Sequence, residues 1–411
     1  MLRAAIIGAG PAGAACAFHL CRAGAHVTLF ERARFPRIKV CGEFISPGAT
    51  PFLESIVPAP DLAAAGARRV DRLVLELGER EAQWQLPEPA WAISRETLDS
   101  ILLDRAATSG ARVEQPASVR AVEYSDRGVR ILLTDARAIA ADIVIHADGS
   151  GRHDPAGPVK NDPRLVGFKC HLRLPHPLRG VRMRTCRDAY VGTIAVEGDL
   201  GTCALVVRRE VVARFGPDSD AMLRALWPGY APAWRVSDWK SCGVPRSRYV
   251  KPGHPRSFRI GNAAAAVDPV GGEGIGLALW SAAELSRRLI AHLCLDESQP
   301  RSHTGPLRSE GATGCSHGWR SPQATATRGS ALRISRPGGA EELQGSFLRA
   351  HSAFARSYSH RLRTRLPACR AAAQLFMRPR LVLALWPLTL VPRLVLRPWY
   401  ALTGKPVGIL G

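Results

Sequence analysis

Three glycines near the start of the chain have the spacing of a phosphate-binding turn. Gly8, Gly10 and Gly13 follow a short apolar run and precede an Ala-rich segment with helical periodicity. In such a turn the first glycine permits a sharp bend, the second lets the backbone approach a pyrophosphate, and the third lets a helix pack close to the strand. N–H groups at the start of that helix point toward the diphosphate. A second apolar run ends in Glu31, whose carboxylate can accept hydrogen bonds from both ribose hydroxyls, so the pattern predicts a dinucleotide site.

A second glycine-rich turn lies far along the chain, at Pro269, Gly271, Gly272 and Gly274. It follows a short apolar strand and directly precedes a predicted helix over residues 275–292. Backbone N–H groups at such a helix start suit an anionic or electron-rich partner. A tight structural turn is the alternative, and this density of glycine disfavours it. We therefore expect two separate helix starts to contact opposite ends of one extended ligand.

Two further places carry chemically useful side chains. The loop after Glu31 contains one thiol and one acid, Cys41 and Glu43, which are the candidate catalytic residues. A lone cysteine in a loop more often has no catalytic role, so the residues alone do not decide this point. An apolar strand ends in Asp148 and Gly149, at the position where open α/β sheets place ligand contacts. Asp-Gly pairs also occur in ordinary turns.

Alternating strand and helix patterns predict an α/β protein with two domains and a tail. Residues 1–70, 92–160 and 245–294 are expected to form the nucleotide-binding domain, with Ser94 as the cap of one helix. A substrate-binding antiparallel sheet is expected from residues 71–91 and 161–244, with a helix over residues 211–227. Residues 295–345 lose all periodicity and are rich in Ser, Arg, Gly and Pro, which predicts a disordered insertion, although an out-of-frame stretch would look the same. Residues 346–411 form the predicted helical and apolar tail.

The basic charge of the chain is concentrated toward its end. The formal net charge is +21, and the last 111 residues hold 17 basic residues against three acidic ones. With no recognisable nucleic-acid-binding motif, this distribution favours an anionic membrane surface over nucleic acid. The apolar run over residues 381–402 is interrupted by Pro and Arg and is too short to span a bilayer. A cap over a lipophilic channel, an interfacial anchor and a helix pair that closes the core all remain open.

The ten cysteines include no C-x-x-C pair and no zinc-ligand spacing, which is typical of reduced cytosolic thiols. We therefore expect a cytoplasmic protein with no metal and no nucleic-acid partner. Peripheral contact with the inner face of the membrane, through the C-terminal tail, is the alternative. The oligomeric state cannot be inferred from the sequence.

Four motifs, taken in order, resemble the FAD-dependent family that includes p-hydroxybenzoate-type hydroxylases, geranylgeranyl reductases and flavin-dependent halogenases. The resemblance covers roughly the first 295 residues. The motifs are the Gly8–Gly13 turn with Glu31 and Arg32, Arg95-x-x-x-Asp99, Ala147-Asp148-Gly149, and Gly261-Asn262 followed by Pro269 to Ile275. Cys41-Gly42-Glu43 and Gly272-Glu273-Gly274-Ile275 are most similar to the geranylgeranyl reductase branch, and the halogenase signature W-x-W-x-I-P is absent. Asn262 stands where the family has an acid, and its carbonyl can still accept a hydrogen bond from the ribityl chain.

The resemblance implies a Rossmann-like FAD-binding domain of the glutathione-reductase type. The implied FAD contacts are Gly8, Gly10, Ala12 and Gly13 at the pyrophosphate; Glu31 and Arg32 at the adenosine ribose; Val119 at adenine; Arg95 at the diphosphate or ribityl chain; Cys41 and Gly42 beside the flavin; Asp148, Gly149, Gly261 and Asn262 at the pyrophosphate and ribityl chain; and Pro269, Gly271, Gly272, Glu273, Gly274 and Ile275 at the pyrimidine edge.

The activity implied by the resemblance is that of an FAD-dependent oxidoreductase with NAD(P)H as electron donor. Its substrate would be a hydrophobic aromatic, polyketide, quinone or isoprenoid molecule, in a secondary metabolic route. Hydroxylation by oxygen and reduction of a double bond both stay open, since the wider family favours the first and the Cys41-Gly42-Glu43 loop favours the second. A non-catalytic lipid-binding escort protein is the alternative from another class.

Overall fold

The computed structural model describes residues 1–149, 151–176, 178–293, 340–390 and 402. Its α-helices are α1 (Pro11–Arg22), α2 (Thr50–Glu54), α3 (Ala59–Ala64), α4 (Arg95–Thr108), α5 (Arg209–Phe215), α6 (Ser219–Leu226), α7 (Gly274–Leu293), α8 (Ala340–Phe376) and α9 (Pro379–Ala384). Its strands are β1 (Arg3–Ile7), β2 (His26–Phe30), β3 (Phe44–Ile45), β4 (Arg68–Leu77), β5 (Arg80–Ala92), β6 (Arg112–Glu114), β7 (Val119–Ser125), β8 (Gly128–Leu133), β9 (Ala138–Ala141), β10 (Ile143–His146), β11 (Asn161–Arg173), β12 (Val181–Cys186), β13 (Ala189–Ala195), β14 (Leu200–Arg208), β15 (Lys240–Pro245), β16 (Arg248–Tyr249), β17 (Ser257–Arg259) and β18 (Ala265–Ala266). Short 3-10 turns lie at Pro47–Ala49, Pro232–Trp234, Gly261–Ala263, Pro269–Gly271 and Trp386–Leu390.

A five-stranded parallel sheet, in the order β17-β10-β1-β2-β6, forms the centre of the half that is predicted to bind FAD, here called the FAD-binding half. One face of the sheet packs on α1, α4 and α7, and the other packs on the three-stranded antiparallel sheet β7-β8-β9. Because both faces are covered, β1 and β10 are almost continuously apolar and buried. Parallel strands end at the same edge of a sheet, so the motifs that follow β1, β2, β10 and β17 emerge side by side.

A second sheet of eight strands has the order β15-β11-β14-β13-β12-β4-β5-β3, and we call it the substrate sheet after its predicted role. It is antiparallel, as predicted, except that β12 and β4 pair in parallel. One face packs on α5 and α6 through an apolar and tryptophan-rich cluster. The other face packs on α8, where Tyr190 and Val206 meet Ala373 and Met377. The edge strand β3 continues directly from the Cys41-Gly42-Glu43 loop, so that loop joins the two halves of the molecule.

Two predicted helices differ from the structure. The helix expected over residues 211–227 is two helices, because Gly216 adopts a left-handed φ of 57° and Pro217 follows it. The Asp218 side chain then caps α6 by accepting a hydrogen bond from Ala221 N–H. The helical pattern predicted to resume at Phe347 begins earlier, at Ala340, so the last residues of the predicted disordered insertion are helical. The rest of that prediction, residues 295–339, lies outside the described residues, as do residues 391–401 and 403–411 of the predicted tail.

Helix α8 closes the structure over the second glycine-rich turn. The Tyr358 ring is fully buried and meets the edge of the Trp280 ring of α7 at a centroid distance of 5.0 Å. Further along α8, Met377 and Ala373 pack on the substrate sheet. None of the helices in the described ranges is both long enough and apolar enough to cross a bilayer.

Candidate active site

The first glycine-rich turn is held by contacts that leave no room for side chains at two of its glycines. A Cβ on Gly8 would lie 2.6 Å from Asp148 Cα, and a Cβ on Gly13 would lie 1.8 Å from the Gly8 carbonyl oxygen. These glycines therefore let β1, α1 and the end of β10 approach closely. Gly10 is different, because the nearest atoms to its Cβ position are Arg95 Nη2 at 3.8 Å and Arg37 Nη2 at 3.9 Å. A Cβ on Gly10 would therefore meet no backbone and no steric clash, only two guanidinium groups at ordinary contact distance.

Arg37 is a site residue that the sequence analysis missed. Its Nε and Nη1 atoms are buried and make no hydrogen bond within the described ranges, while Nη2 donates to Glu31 Oε2 at 3.4 Å. Asp99 lies 3.6 Å from Nη1. Burial lowers the pKa of the Arg37 guanidinium, and the carboxylates of Glu31 and Asp99 oppose that shift. A buried guanidinium with unused donors beside Gly10 suits the diphosphate of a dinucleotide.

Arg95 carries the second of these guanidinium groups. It donates to Asp99 through Nε and Nη2, each at 2.7 Å, across one turn of α4. Burial alone would lower the pKa of Arg95, but the charge of Asp99 raises it overall. The Ser94 side chain caps α4, as predicted, by accepting a hydrogen bond from Thr97 N–H. The Arg95-x-x-x-Asp99 motif therefore presents a charged, fixed guanidinium toward Gly10.

Glu31 is buried at the end of β2 and marks the expected ribose end of the site. Ala9 N–H donates to its Oε2 at 3.0 Å, and Ala33 N–H donates to its Oε1 at 2.9 Å. The Glu31 backbone carbonyl accepts a hydrogen bond from Ala117 N–H at 2.7 Å, which brings the segment leading to Val119 beside it. Val119 therefore lies on the Glu31 side of the site. Its contact with adenine stays a prediction.

Gly261, which lies in the short turn before the second glycine-rich turn, packs against the first. A Cβ on Gly261 would lie 2.9 Å from Ala12 Cβ in α1, and Gly261 N–H donates to Ser281 Oγ of α7 at 2.9 Å. Gly272 has a left-handed φ of 62°, and a Cβ there would lie 2.7 Å from the Phe44 ring. The two helix starts are therefore neighbours, and Phe44 brings the Cys41-Gly42-Glu43 loop against the second one.

A buried carboxyl sets the start of the second turn. Asp268 Oδ1 accepts hydrogen bonds from Tyr190 OH at 2.8 Å and from Val270 N–H at 3.1 Å. Burial raises the pKa of Asp268 and raises that of Tyr190 well above its ordinary value. This contact attaches the turn to β13 of the substrate sheet. The Glu273 side chain points to α8 instead, where its Oε2 lies 3.7 Å from Arg365 Nε.

Glu43, one of the two predicted catalytic residues, is completely buried among donors. Arg95 N–H donates to its Oε1 at 2.6 Å, and Lys169 Nζ also contacts Oε1. His171 Nε2 lies 3.2 Å from its Oε2, to which Thr202 Oγ1 donates. Burial alone would raise the pKa of the Glu43 carboxyl, but the hydrogen bond from His171 and the charge of Lys169 bring it down to about 2. Such a carboxylate is poorly suited to accept a proton from a substrate.

Cys41, the other predicted catalytic residue, is half-buried, and its Sγ accepts a hydrogen bond from Glu43 N–H at 3.4 Å. Of the other predicted positions, Arg32, Gly42, Asn262, Pro269 and Gly274 are exposed, Ile275 is buried, and Asp148 and Gly149 are half-buried next to Gly8. The four motifs thus meet at one place. Gly10, the buried guanidinium groups and the two helix starts fit an FAD molecule.

Comparison with known proteins agrees with this arrangement. A family model described as an FAD binding domain matches residues 1–153. The menaquinone reductase of Mycobacterium tuberculosis is 30% identical over 306 residues, which cover 67% of this chain and 73% of that protein. The digeranylgeranylglycerophospholipid reductase 1 of Methanothermobacter thermautotrophicus is 30% identical over 209 residues, 47% of this chain and 50% of that protein.

Among solved structures, the flavin-dependent halogenase CmlS matches with a TM-score of 0.59 and 23% identity. The match covers 70% of this chain and 57% of CmlS, so the chain spans less than two thirds of that halogenase. A likeness at this identity shows a shared α/β fold.

We predict that Arg37→Gln weakens FAD binding. Loss of a buried charge beside the diphosphate should raise the Kd for FAD by about tenfold, since hydrogen bonds to charged groups contribute roughly 1.5–3 kcal/mol. Fluorescence titration of the apoprotein with FAD measures this change. Arg34→Gln removes an exposed arginine three residues away and is the control. Equal affinities for the two variants would contradict a role for Arg37 at the diphosphate.

Proposed function

The chain belongs to the FAD-dependent oxidoreductase family that includes menaquinone reductases and geranylgeranyl reductases, and on this premise we propose that it reduces a double bond in a quinone or isoprenoid lipid. The observation that carries the proposal is the similarity to menaquinone reductase across two thirds of this chain. We propose NAD(P)H as the source of electrons. We also infer that the FAD-binding half is of the glutathione-reductase type, which the parallel sheet and its three-stranded antiparallel neighbour support.

The surroundings of the second glycine-rich turn support a hydrophobic substrate. Val270, inside that turn, packs in one apolar cluster with Tyr190 of the substrate sheet and with Met377 of α8. Such a surface excludes water and favours an apolar ligand over a charged one. A hydride transferred beside it would be protected from solvent.

Each part of the chain then has a separate task. When bound, FAD supplies an isoalloxazine ring that accepts and donates hydride. Arg37 and Arg95 would neutralise the diphosphate, and Glu31 would orient the ribose. The N–H groups at the start of α7 would stabilise negative charge on the reduced pyrimidine edge. The substrate sheet and α8 would hold the apolar substrate beside the ring.

We predict that the reduced holoenzyme reacts with a short-chain menaquinone in the absence of oxygen. The flavin should return to its oxidised absorbance, and mass spectrometry, after any quinol has been reoxidised in air, should show a product that has gained two hydrogen atoms. Hydride and a solvent proton add across one double bond, so no oxygen is consumed. The same mixture in air is the control.

Two results would contradict this function. A product that gains an oxygen atom, and forms only in air, would assign hydroxylation instead. A colourless protein that ignores added FAD would favour the escort protein. The product mass and the flavin absorbance can both be measured on one purified sample.

We further propose that the chain meets its lipid substrate at an anionic membrane surface. Leu381, Leu383, Leu385 and Leu388 lie in and just after α9, and each is more than two fifths exposed. Exposed arginines, Arg378 and Arg380, adjoin them. Exposed leucines next to basic side chains are typical of segments that lie in the interface of an anionic bilayer.

We predict that the protein sediments with vesicles containing phosphatidylglycerol and much less with pure phosphatidylcholine vesicles. Replacing Leu383 and Leu385 by Ser should reduce the bound fraction severalfold, because apolar area buried in the interface contributes to binding. Leu348→Ser, which replaces an exposed leucine near the start of α8, is the control. Equal sedimentation of both variants would assign the exposed leucines another role, such as contact between copies of the chain.

A further inference from the structure

We propose that Lys169, His171 and Thr202 are positioning residues that act through the Glu43 carboxylate. Together these four side chains form what we term the Glu43 cluster. The cluster holds the segment from Cys41 to Phe44 at a fixed place between the FAD-binding half and the substrate sheet. This inference rests on the proposed function only in taking that segment to border the flavin.

The backbone of Glu43 shows that the segment is held by its surroundings. Its φ is 57°, a left-handed conformation that side chains other than glycine rarely adopt. The side chain is completely buried. A residue keeps such a conformation only where neighbouring contacts fix it. At Glu43 these are the contacts of its carboxylate, together with the hydrogen bonds from Ile93 N–H to the Glu43 carbonyl and from Glu43 N–H to Cys41 Sγ.

The donors to Glu43 share one face of the substrate sheet. Lys169 and His171 lie two residues apart on β11, so their side chains point to the same face. Thr202 lies on β14 and is the direct cross-strand partner of His171. Three donors on two strands thus converge on one carboxylate, and Lys169 and Thr202 are almost fully buried.

The same carboxylate is attached to the FAD-binding half. Arg95 N–H, at the first residue of α4, donates to Oε1 at 2.6 Å, and the Arg95 guanidinium faces Gly10. Phe44 packs under Gly272 of the second turn. The Glu43 side chain therefore connects the start of α4 to the substrate sheet, and the adjacent Phe44 contacts the second glycine-rich turn.

The buried charges of Glu43 and Lys169 are better explained by a role in positioning the Cys41–Phe44 segment than by a contribution to the stability of the fold. A buried ion pair seldom stabilises a fold more than apolar side chains of similar volume would, because both charges must leave water. It does tie specific atoms to one arrangement. Since Glu43 N–H donates to Cys41 Sγ, a shift of Glu43 would move the thiol as well. The Glu43 cluster therefore sets where Cys41 lies relative to the two halves.

The sharpest test compares two threonine-to-valine variants. Thr202→Val removes a hydroxyl that donates to Glu43, whereas Thr185→Val removes a buried hydroxyl with no hydrogen-bond partner among the described residues. Each change replaces a threonine by a valine of nearly the same volume. The two variants therefore differ mainly in whether a hydrogen bond to Glu43 is lost. Both are made in the full-length protein with Cys242, the cysteine that is exposed among those in the described ranges, replaced by Ser.

We expect Thr202→Val to raise the rate at which a maleimide labels Cys41 by severalfold, because local opening of a segment governs the access of reagents to it. Labelling of the half-buried Cys21, measured by mass spectrometry in the same sample, should stay unchanged. Global unfolding would raise both rates, so the ratio isolates movement of the Cys41 segment. Turnover with a short-chain menaquinone should fall in kcat, while the Kd for FAD stays within about twofold.

A charge variant provides the second comparison. Lys169→Met should raise Cys41 labelling by about tenfold or more, since it leaves the buried Glu43 without its cation. Lys240→Met replaces the exposed cross-strand neighbour of Lys169 and is the control. The proposal is overturned if Thr202→Val labels like Thr185→Val. Should Lys169→Met not fold, the threonine pair decides the question alone.

These outcomes are distinct from failure of the proposed function. A wild-type protein that binds no FAD would refute the proposed function, yet the labelling ratio of Cys41 to Cys21 could still be measured. A protein that binds FAD and shows no change in that ratio would refute the positioning role only.

Discussion

The close approach of α1 to the ends of β1 and β10 is the constraint on which the site depends. Side chains cannot be added at Gly8 or Gly13 without moving backbone, whereas a Cβ at Gly10 would meet only the Arg37 and Arg95 side chains, at ordinary contact distances. The start of α1 therefore faces two guanidinium groups, and their charges are kept in place by Glu31 and Asp99. Backbone packing thus brings the turn to these groups, and their charge favours an anionic ligand there.

The same packing fixes the second helix start relative to the first. Gly261 touches Ala12, and its N–H is bound to Ser281 of α7, so α1 and α7 begin within one compact region. Asp268 and Tyr190 attach the second turn to the substrate sheet, and the Glu43 cluster attaches the preceding loop to the same sheet. Two buried polar contacts therefore hold the second turn and the preceding loop in place against one sheet. Apolar side chains of α8 close the remaining side.

The sequence predicts those parts of the site that are local in the chain. The glycine turn between two apolar strands and the Ser94 cap of α4 could both be predicted, because each pattern extends over only a few residues of the sequence. The glycines of that turn are Gly8, Gly10 and Gly13. The Glu43 cluster could not be predicted in this way, since Lys169, His171 and Thr202 lie 126, 128 and 159 residues from Glu43. Arg37 is one of several basic residues after β2, and only the fold shows which of them faces Gly10. The single helix predicted over residues 211–227 was wrong because apolar periodicity outweighed Gly216 and Pro217, which interrupt it.

Hydrogen–deuterium exchange with and without FAD tests the central claim most directly, which is that one extended FAD molecule contacts both helix starts. Addition of FAD to the apoprotein should slow exchange in peptides covering residues 8–13 and in peptides covering residues 271–275, with the same dependence on FAD concentration. Protection confined to the first turn, or protection of the two turns at different FAD concentrations, would contradict the account.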